Sequence, residues 1–182
     1  MSFFVQSDAK INISLRVTGK RPDGYHELRS VFLRLSAVES LTITPQYDHN
    51  VRNNLSVHGE AVPGKNILEE VLARAGRTMN VPPLHISLAK NIPPGSGLGG
   101  GSGNAAALLS WLHRISGKSD PGPGEFGSDV PFLFSDAEWA SVGGRGEIVT
   151  PVDSPPETPA VLVAVPTWEM STQRAFSLLD EA

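Results

Sequence analysis

Residues 84–116 read LHISLAKNIPPGSGLGGGSGNAAALLSWLHRIS. The alternation of apolar and polar residues at 84–88 predicts a strand, and the apolar run that follows Asn104, its expected N-cap, predicts a helix. Between them, residues 95–103 hold six glycines in nine positions. Glycine lets a backbone adopt positive φ and approach an anion closely, and a helix N-terminus stabilises negative charge. The stretch therefore predicts a phosphate-binding loop, with a flexible linker as the competing interpretation.

Two common phosphate loops fit this stretch poorly. A Walker loop ends in Lys and Ser or Thr, and residues 101–104 (GSGN) do not supply them. The pattern G-x-G-x-x-G occurs at Gly95, Gly97 and Gly100. A dinucleotide fold also needs an acidic residue after a second strand, and the candidate, Asp120, lies in a Pro/Gly-rich loop. A different kind of phosphate loop is indicated.

The composition narrows the class of protein. A chain of 182 residues with 40% apolar and 19% charged residues can bury a core in one large domain or two small ones. The net charge of −4 argues against binding nucleic acid through its phosphates. The absence of cysteine excludes disulfides, thiolate metal sites and a cysteine nucleophile. The longest aliphatic run, 160–165, is too short to span a membrane and no secretory signal is visible, so we expect a soluble cytoplasmic protein.

The rest of the chain predicts an α+β fold. Asn66 and Glu69 resemble a capping box, and the apolar spacing after them predicts a helix over 67–78. A half-buried strand with an apolar face (Ile11, Ile13, Leu15, Val17) and a polar face is predicted at 10–17. Further strands are predicted at 30–36, 39–44, 54–58, 130–134, 138–142 and 147–152, a buried strand at 160–165, and a last helix capped by Ser171 or Thr172.

Three motifs carry a family resemblance. Residues 90–102 (KNIPPGSGLGGGS) resemble the ATP loop of the GHMP kinases, the superfamily of galactokinase, homoserine kinase and mevalonate kinase. Residues 9–12 (AKIN) with 21–28 (RPDGYHEL), and residues 127–132 (GSDVPF), are similar to the branch that serves the non-mevalonate isoprenoid pathway. The resemblance covers most of the chain, including 146–152 (GEIVTPV).

The resemblance implies a GHMP kinase fold and an ATP-dependent kinase. It implies an ATP-binding N-terminal domain of the ribosomal protein S5 domain 2-like type over 1–152, and the start of a truncated C-terminal substrate-binding domain over 153–182. The implied reaction is phosphorylation of the 2-hydroxyl group of 4-diphosphocytidyl-2-C-methyl-D-erythritol. ATP and Mg²⁺ are the implied cofactors, with Ser102 as a candidate Mg²⁺ contact. His49, His58, His85 and His113 show no metal-ligand spacing and are interpreted as structural or solvated.

The same resemblance assigns roles to individual residues. Asp129 is the implied base and Lys10 the group that orients it and stabilises charge, so their side-chain charges should lie within about 6 Å of each other. The implied ATP-binding residues are Asn66, Lys90, Pro93, Pro94, Gly95, Ser96, Gly97, Leu98, Gly99, Gly100, Gly101, Ser102 and Gly103. The implied substrate-binding residues are Asn12, Tyr25, His26, Phe32, Thr172 and Phe176, with Tyr25 and Phe176 expected on opposite faces of the cytosine base.

The chain also departs from the family. Gly103 stands where the loop normally carries a polar residue, 117–127 is short and rich in Pro and Gly, and the family's last part, with a second glycine-rich turn, lies beyond Ala182. A weakly active or non-catalytic nucleotide-binding remnant, with a tendency to self-associate, therefore stays open as an alternative. Another GHMP kinase acting on a different small alcohol is a third interpretation, although an alcohol without a nucleobase needs no aromatic clamp.

Overall fold

A computed structural model of the protein describes residues 1–48, 50–155, 157, 160–165 and 172–181. In chain order the elements are β1 (Phe3–Lys20), β2 (His26–Pro45), β3 (Asn54–Gly59), α1 (Ile67–Thr78), β4 (Leu84–Lys90), α2 (Gly100–Ser116), a 3₁₀ turn (Pro123–Phe126), α3 (Val130–Phe134), β5 (Trp139–Gly144), β6 (Ile148–Val152) and α4 (Thr172–Glu181). This order confirms the predicted α+β class.

The long strand β2 organises a six-stranded sheet. One edge of β2 pairs antiparallel with β1 along nearly the whole length of the strand. Its other edge is shared, because β5 pairs with Leu28–Leu33 and β4 pairs with Ser40–Pro45. β3 and β6 extend the sheet beyond β4 and β5. The two strands predicted at 30–36 and 39–44 are therefore one strand, interrupted only at Ala37, where φ is 55°.

The helices α1 and α2 share one hydrophobic core with the sheet. α1 spans the predicted residues and carries the predicted capping box: Asn66 accepts a hydrogen bond from the Leu68 N–H, and its own N–H donates to Glu69. The buried core combines apolar side chains of β2 and β4 with those of the two helices: Leu41, Ile43, Leu84, Ile86, Leu88, Leu68, Val71, Leu72, Leu108, Leu109 and Leu112. This core packs α1 and α2 against the sheet.

Two local predictions were wrong. Residues 130–134 form the helix α3 and not a strand, and Pro131 stands in its first turn, where proline is favoured. α2 begins at Gly100 with Gly99 as its N-cap, so Asn104 caps nothing. Asn104 instead lies buried inside α2, and its Oδ1 accepts a hydrogen bond of 2.7 Å from the Ser7 hydroxyl.

Two apolar stretches are exposed where burial was expected. Residues 160–165 form no strand, and Leu162 is 95% exposed, because no described strand pairs with this segment. In β1 the side chains of Ile13 and Leu15 are also exposed, whereas Lys10 is buried, and the register of β1 against β2 shifts between Asn12 and Ser14. Among the helices of the described part of the chain, none is long and apolar enough to cross a membrane.

The exposed apolar segment at 160–165 should make the chain self-associate. Contiguous exposed apolar surface favours association, so size-exclusion chromatography with light scattering should show dimers or larger species. Leu162→Asp should shift the population toward monomer, whereas Val51→Asp, at an exposed position in another loop, should not. A wild-type chain that stays monomeric at high protein concentration would contradict this prediction.

Candidate active site

Lys10 and Asp129 form an ion pair although they are distant in sequence. Lys10 Nζ lies 3.4 Å from Asp129 Oδ2, which confirms their predicted proximity. The ammonium group also donates to Asn12 Oδ1 at 2.8 Å and to the Gly97 carbonyl at 2.9 Å. The side chain of Lys10 is 8% exposed and that of Asp129 is 25% exposed. A nearly buried cation therefore faces a carboxylate that a ligand can still reach.

The local fold explains how the pair is held. Lys10 lies in β1, and its backbone N–H donates to the Leu98 carbonyl at 2.8 Å, which ties the glycine-rich loop to the strand. Asn12 is oriented by its own hydrogen bond to the Ser30 hydroxyl at 2.9 Å. Asp129 stands at the N-cap of α3 but makes no capping hydrogen bond with its side chain. Its carboxylate is therefore directed at Lys10 rather than used by the helix.

The glycine-rich loop passes next to this ion pair. Gly95, Gly97 and Gly99 have φ values of 77°, 76° and 70°, a region that favours glycine. A Cβ atom on Gly99 would lie 3.3 Å from Lys10 Cγ and 3.5 Å from Asp129 Oδ2. The other predicted loop residues lie between Ile92 and the first turn of α2: Pro93, Pro94, Ser96, Leu98, Gly100, Gly101 and Ser102. The backbone N–H groups at the start of α2 and the Lys10–Asp129 pair are thus close neighbours.

Gly103 has a structural reason to be glycine. A Cβ atom at this position would overlap the backbone carbonyl of Asp8 in β1. α2 and β1 therefore touch backbone to backbone at this point, and a side chain on residue 103 has no room. Gly103 lies in the first turn of α2, and its N–H donates to the Gly99 carbonyl at 2.8 Å.

A buried carboxylate that the sequence analysis missed holds the beginning of the loop. Glu39 Oε1 accepts hydrogen bonds from the backbone N–H groups of Asn91 at 2.9 Å and Ile92 at 2.7 Å. The ammonium group of Lys90 lies 2.7 Å from the same oxygen, and both side chains are buried. The sequence feature that could have indicated this buried carboxylate is the position of Glu39 in β2, between the apolar residues Val38 and Leu41. Lys90 is thus paired with Glu39. The predicted roles of Lys90 and of Asn66, the N-cap of α1, in binding ATP stay predictions.

The predicted substrate residues lie in two places: Phe32 is beside Lys10, whereas Tyr25, His26 and Phe176 are at or near the turn between β1 and β2. Phe32 is buried beside Lys10, with its ring centroid 5.0 Å from Nζ and in edge contact with Phe132. Tyr25 lies in the turn after β1, is 54% exposed, and carries the Arg145 guanidinium 4.7 Å above its ring. His26 and Phe176 stack directly, with centroids 4.6 Å apart. The structure therefore brings Phe176 to His26, while its placement opposite Tyr25 stays a prediction.

A carboxylate of the last helix also contacts the sheet. Asp180 of α4 accepts a hydrogen bond from Lys20 Nζ at 2.7 Å and lies 2.8 Å from His26 Nε2. The hydrogen bond from Lys20, and then that from His26, hold the pKa of Asp180 below its usual range. The backbone of Thr172 begins α4, while its side chain, Ser171 and His49 lie outside the described residues.

No cluster of three or more His, Asp or Glu side chains suited to a metal ion occurs in the described ranges. Of the histidines outside the motifs, His113 in α2 contacts the Pro121 carbonyl at 2.9 Å, and His58 is exposed at the end of β3. Within the glycine-rich loop, the hydroxyl of Ser102 in the first turn of α2 is an oxygen donor of the kind that a hard cation prefers.

Comparison with known proteins agrees with these features. Residues 65–122 match the family described as GHMP kinases N terminal domain. The chain is 35% identical to 4-diphosphocytidyl-2-C-methyl-D-erythritol kinase of Nitratidesulfovibrio vulgaris (strain DP4), over 98% of this chain and 64% of that protein. It is 37% identical to a chloroplastic protein of the same name from Oryza sativa subsp. japonica, over 88% of this chain and 42% of that protein.

Solved structures give the same picture. A crystal structure of 4-(cytidine 5'-diphospho)-2C-methyl-D-erythritol kinase superposes with a TM-score of 0.64 at 31% identity, covering 85% of this chain and 56% of that one. Mevalonate pyrophosphate decarboxylase from Streptococcus pyogenes superposes with a TM-score of 0.56 at 14% identity, over 85% of this chain and 51% of that one, and supports the fold alone. The chain spans less than two thirds of the length of these relatives.

Proposed function

We propose that the chain is a member of the GHMP kinase superfamily and that it transfers the γ-phosphoryl group of ATP to the 2-hydroxyl group of 4-diphosphocytidyl-2-C-methyl-D-erythritol, a step of isoprenoid precursor biosynthesis. The observation that carries the proposal is the Lys10–Asp129 ion pair beside the glycine-rich loop. Cation, base and anion-binding backbone are the parts that phosphoryl transfer requires.

The chemistry follows from the geometry of the pair. Asp129 accepts the proton of the substrate hydroxyl as its oxygen attacks the γ-phosphorus, and the bond from that phosphorus to the bridging oxygen of ADP breaks. Lys10, fixed by Asn12 and the Gly97 carbonyl, orients Asp129 and offers positive charge to the transferred phosphoryl group. These two hydrogen bonds and the ion pair with Asp129 hold the ammonium group in place.

The cofactors bind at the start of α2 in this proposal. The backbone N–H groups of the loop over 93–103 hold the phosphates of ATP, and the helix N-terminus adds a favourable dipole. Mg²⁺ neutralises phosphate charge when bound, and the Ser102 hydroxyl is its proposed protein contact. Asn66 and Lys90 lie toward the adenine in the proposed arrangement.

The cytidine end of the substrate binds near the turn between β1 and β2 in this proposal. Tyr25 stacks on the base, His26 hydrogen-bonds to it, and Asn12, Phe32, Thr172 and Phe176 complete the substrate site. The Arg145 guanidinium lies over one face of the Tyr25 ring, and the exposure of the residue supports a role for the other face in stacking on the base. We also propose the domain division at 152/153, with the second part contributing Phe176 to the substrate.

One experiment distinguishes the proposal from its two alternatives, a non-catalytic nucleotide-binding remnant and a GHMP kinase for a different alcohol. ADP release by the 182-residue chain should be measured with ATP and, in parallel, 4-diphosphocytidyl-2-C-methyl-D-erythritol, galactose, homoserine and mevalonate. Turnover with the cytidyl substrate alone supports the proposal. Turnover with another alcohol in its place favours a different GHMP kinase. ATP binding without any turnover favours the non-catalytic remnant.

Tyr25→Ala should weaken binding of the cytidine ligand without affecting ATP. Base stacking on an aromatic ring contributes about 1–3 kcal/mol, which corresponds to roughly 5- to 150-fold in Kd. Isothermal titration calorimetry with cytidine diphosphate and with ATP measures the two affinities. Tyr47→Ala serves as the control, because it removes another exposed tyrosine, in the loop after β2, that has no proposed role in binding. An equal loss of affinity for the two ligands in Tyr25→Ala would mean that Tyr25 has a structural role.

A further inference from the structure

The helix that carries Asp129 is too short to hold itself in place. α3 has five residues, Val130–Phe134, and isolated helices of this length are unstable in water. Asp129 adds no capping hydrogen bond from its side chain. The position of its carboxylate relative to Lys10 therefore depends on whatever fixes α3 from outside.

Arg34 of β2 fixes the other end of α3. Its guanidinium donates to the carbonyls of Phe132 at 2.9 Å, Leu133 at 3.2 Å and Ser135 at 2.6 Å, and Nε donates to the Ala137 carbonyl at 2.9 Å. These carbonyls end the helix or follow it directly, where positive charge is favourable. The Phe132 carbonyl also accepts hydrogen bonds from the Ser135 N–H and hydroxyl groups. The side chain of Arg34 is 11% exposed, so this arrangement is largely shielded from water.

The same residue is attached to the strand of Lys10. Arg34 and Lys10 are directly paired in the β1–β2 ladder. The guanidinium also forms an ion pair of 2.7 Å with Asp8, two residues before Lys10 in β1, and Asp8 accepts a further hydrogen bond from the Ala37 N–H. A single side chain thus connects the strand that bears the cation with the helix that bears the carboxylate.

We infer that Arg34 is a positioning residue that sets the distance between Lys10 Nζ and Asp129 Oδ2. This inference rests on the proposed function, because it assigns the pair a role in phosphoryl transfer. The guanidinium fork satisfies five acceptors in fixed directions, whereas an ammonium group has three donors and no fork. Lysine at position 34 keeps the charge but loses at least two of the five contacts.

The test combines kinetics with crystallography on the 182-residue chain. Arg34→Lys should lower kcat by roughly 10- to 100-fold, because a displacement of about 1 Å at reacting groups can cost about 100-fold. KM for ATP should stay within about twofold of wild type, because the glycine loop is held by other contacts. Its crystal structure should show the Lys10–Asp129 distance lengthened by about 1 Å or more.

The matched control is Arg29→Lys. Arg29 lies in the same strand, its side chain is exposed, and among the described residues no side chain forms an ion pair with it. This variant should match wild type in kcat and in the Lys10–Asp129 distance. Equal kinetic losses in both variants, or an unchanged Lys10–Asp129 distance in Arg34→Lys, would overturn the inference.

Two outcomes separate this inference from the proposed function. If wild type shows no transfer to any alcohol, the proposed function fails, and the crystallographic distances still decide the role of Arg34. If Arg34→Lys does not fold, Asp8→Asn, which removes the ion pair and leaves the four carbonyl contacts, becomes the test. A folded Asp8→Asn with a lower kcat and an unchanged KM supports positioning, whereas unchanged kinetics would show that Arg34 serves stability alone.

Discussion

Asp129→Asn should lower kcat for phosphoryl transfer by about 10²–10⁴, the usual contribution of a general base. Asparagine has nearly the same shape as aspartate but cannot take up the hydroxyl proton, and it removes the negative charge that faces Lys10 at 3.4 Å. KM for ATP should change little, because the phosphates are bound by the loop and not by this carboxylate. Steady-state ADP release with saturating cytidyl substrate measures the effect.

Asp136→Asn provides the control for this variant. Asp136 follows α3 closely in sequence, and no described side chain forms an ion pair with it. The same change of charge at this position should leave kcat at the wild-type value. If Asp129→Asn retained kcat within about tenfold of wild type, Asp129 would not act as the general base.

Gly99→Val should abolish detectable ATP binding while the chain stays folded. Valine strains a backbone with φ of 70°, and its Cβ would lie 3.3 Å from Lys10 Cγ, which is closer than an ordinary van der Waals contact. The loop must then move away from the site where the phosphates are held. We expect a loss of at least about 100-fold in affinity, about 2.7 kcal/mol. Calorimetric titration with ATP and circular dichroism measure binding and folding.

Gly76→Ala is the matched control for Gly99→Val. Gly76 lies in α1, and a Cβ atom at this position meets no atom within 4 Å. Alanine there should leave ATP affinity unchanged and raise stability by up to about 1 kcal/mol, the usual helix preference of alanine over glycine. Wild-type ATP affinity in Gly99→Val would rule out the loop as the phosphate site.

Local signals in the sequence were sufficient for several elements. The bounds of α1 follow from Asn66, Glu69 and the apolar spacing between them and Thr78, all of which act within one or two helical turns. The glycine-rich loop was equally local, since positive φ at Gly95, Gly97 and Gly99 needs only the residue type. Features that depend on near neighbours in the chain could therefore be predicted.

Features that depend on distant partners could not be predicted in the same way. Residues 130–134 are a short apolar run without a period, and α3 is held by Arg34, almost a hundred positions earlier in the chain. The burial of Glu39 depends on its contacts with Lys90 and two backbone N–H groups. The exposure of residues 160–165 depends on which strands are available to pair with them. None of these partners can be identified from spacing alone.

The proximity of Lys10 and Asp129 depends on distant partners, yet it could be predicted from a family resemblance. Spacing gives no reason to bring the two residues together, and their pairing followed only from the motifs that resemble the GHMP kinases. The distance of 3.4 Å confirms their proximity, whereas their catalytic roles, and those of the ATP and substrate residues, stay proposals. Substitution and measured turnover are therefore the next step.

The most direct test is ³¹P NMR of the product that the 182-residue chain forms from ATP, Mg²⁺ and 4-diphosphocytidyl-2-C-methyl-D-erythritol. The account predicts a new phosphomonoester on the 2-hydroxyl group, formed together with ADP, and its near absence with Asp129→Asn under the same conditions. A product phosphorylated at another hydroxyl, or one that forms at the same rate with Asp129→Asn, would contradict it.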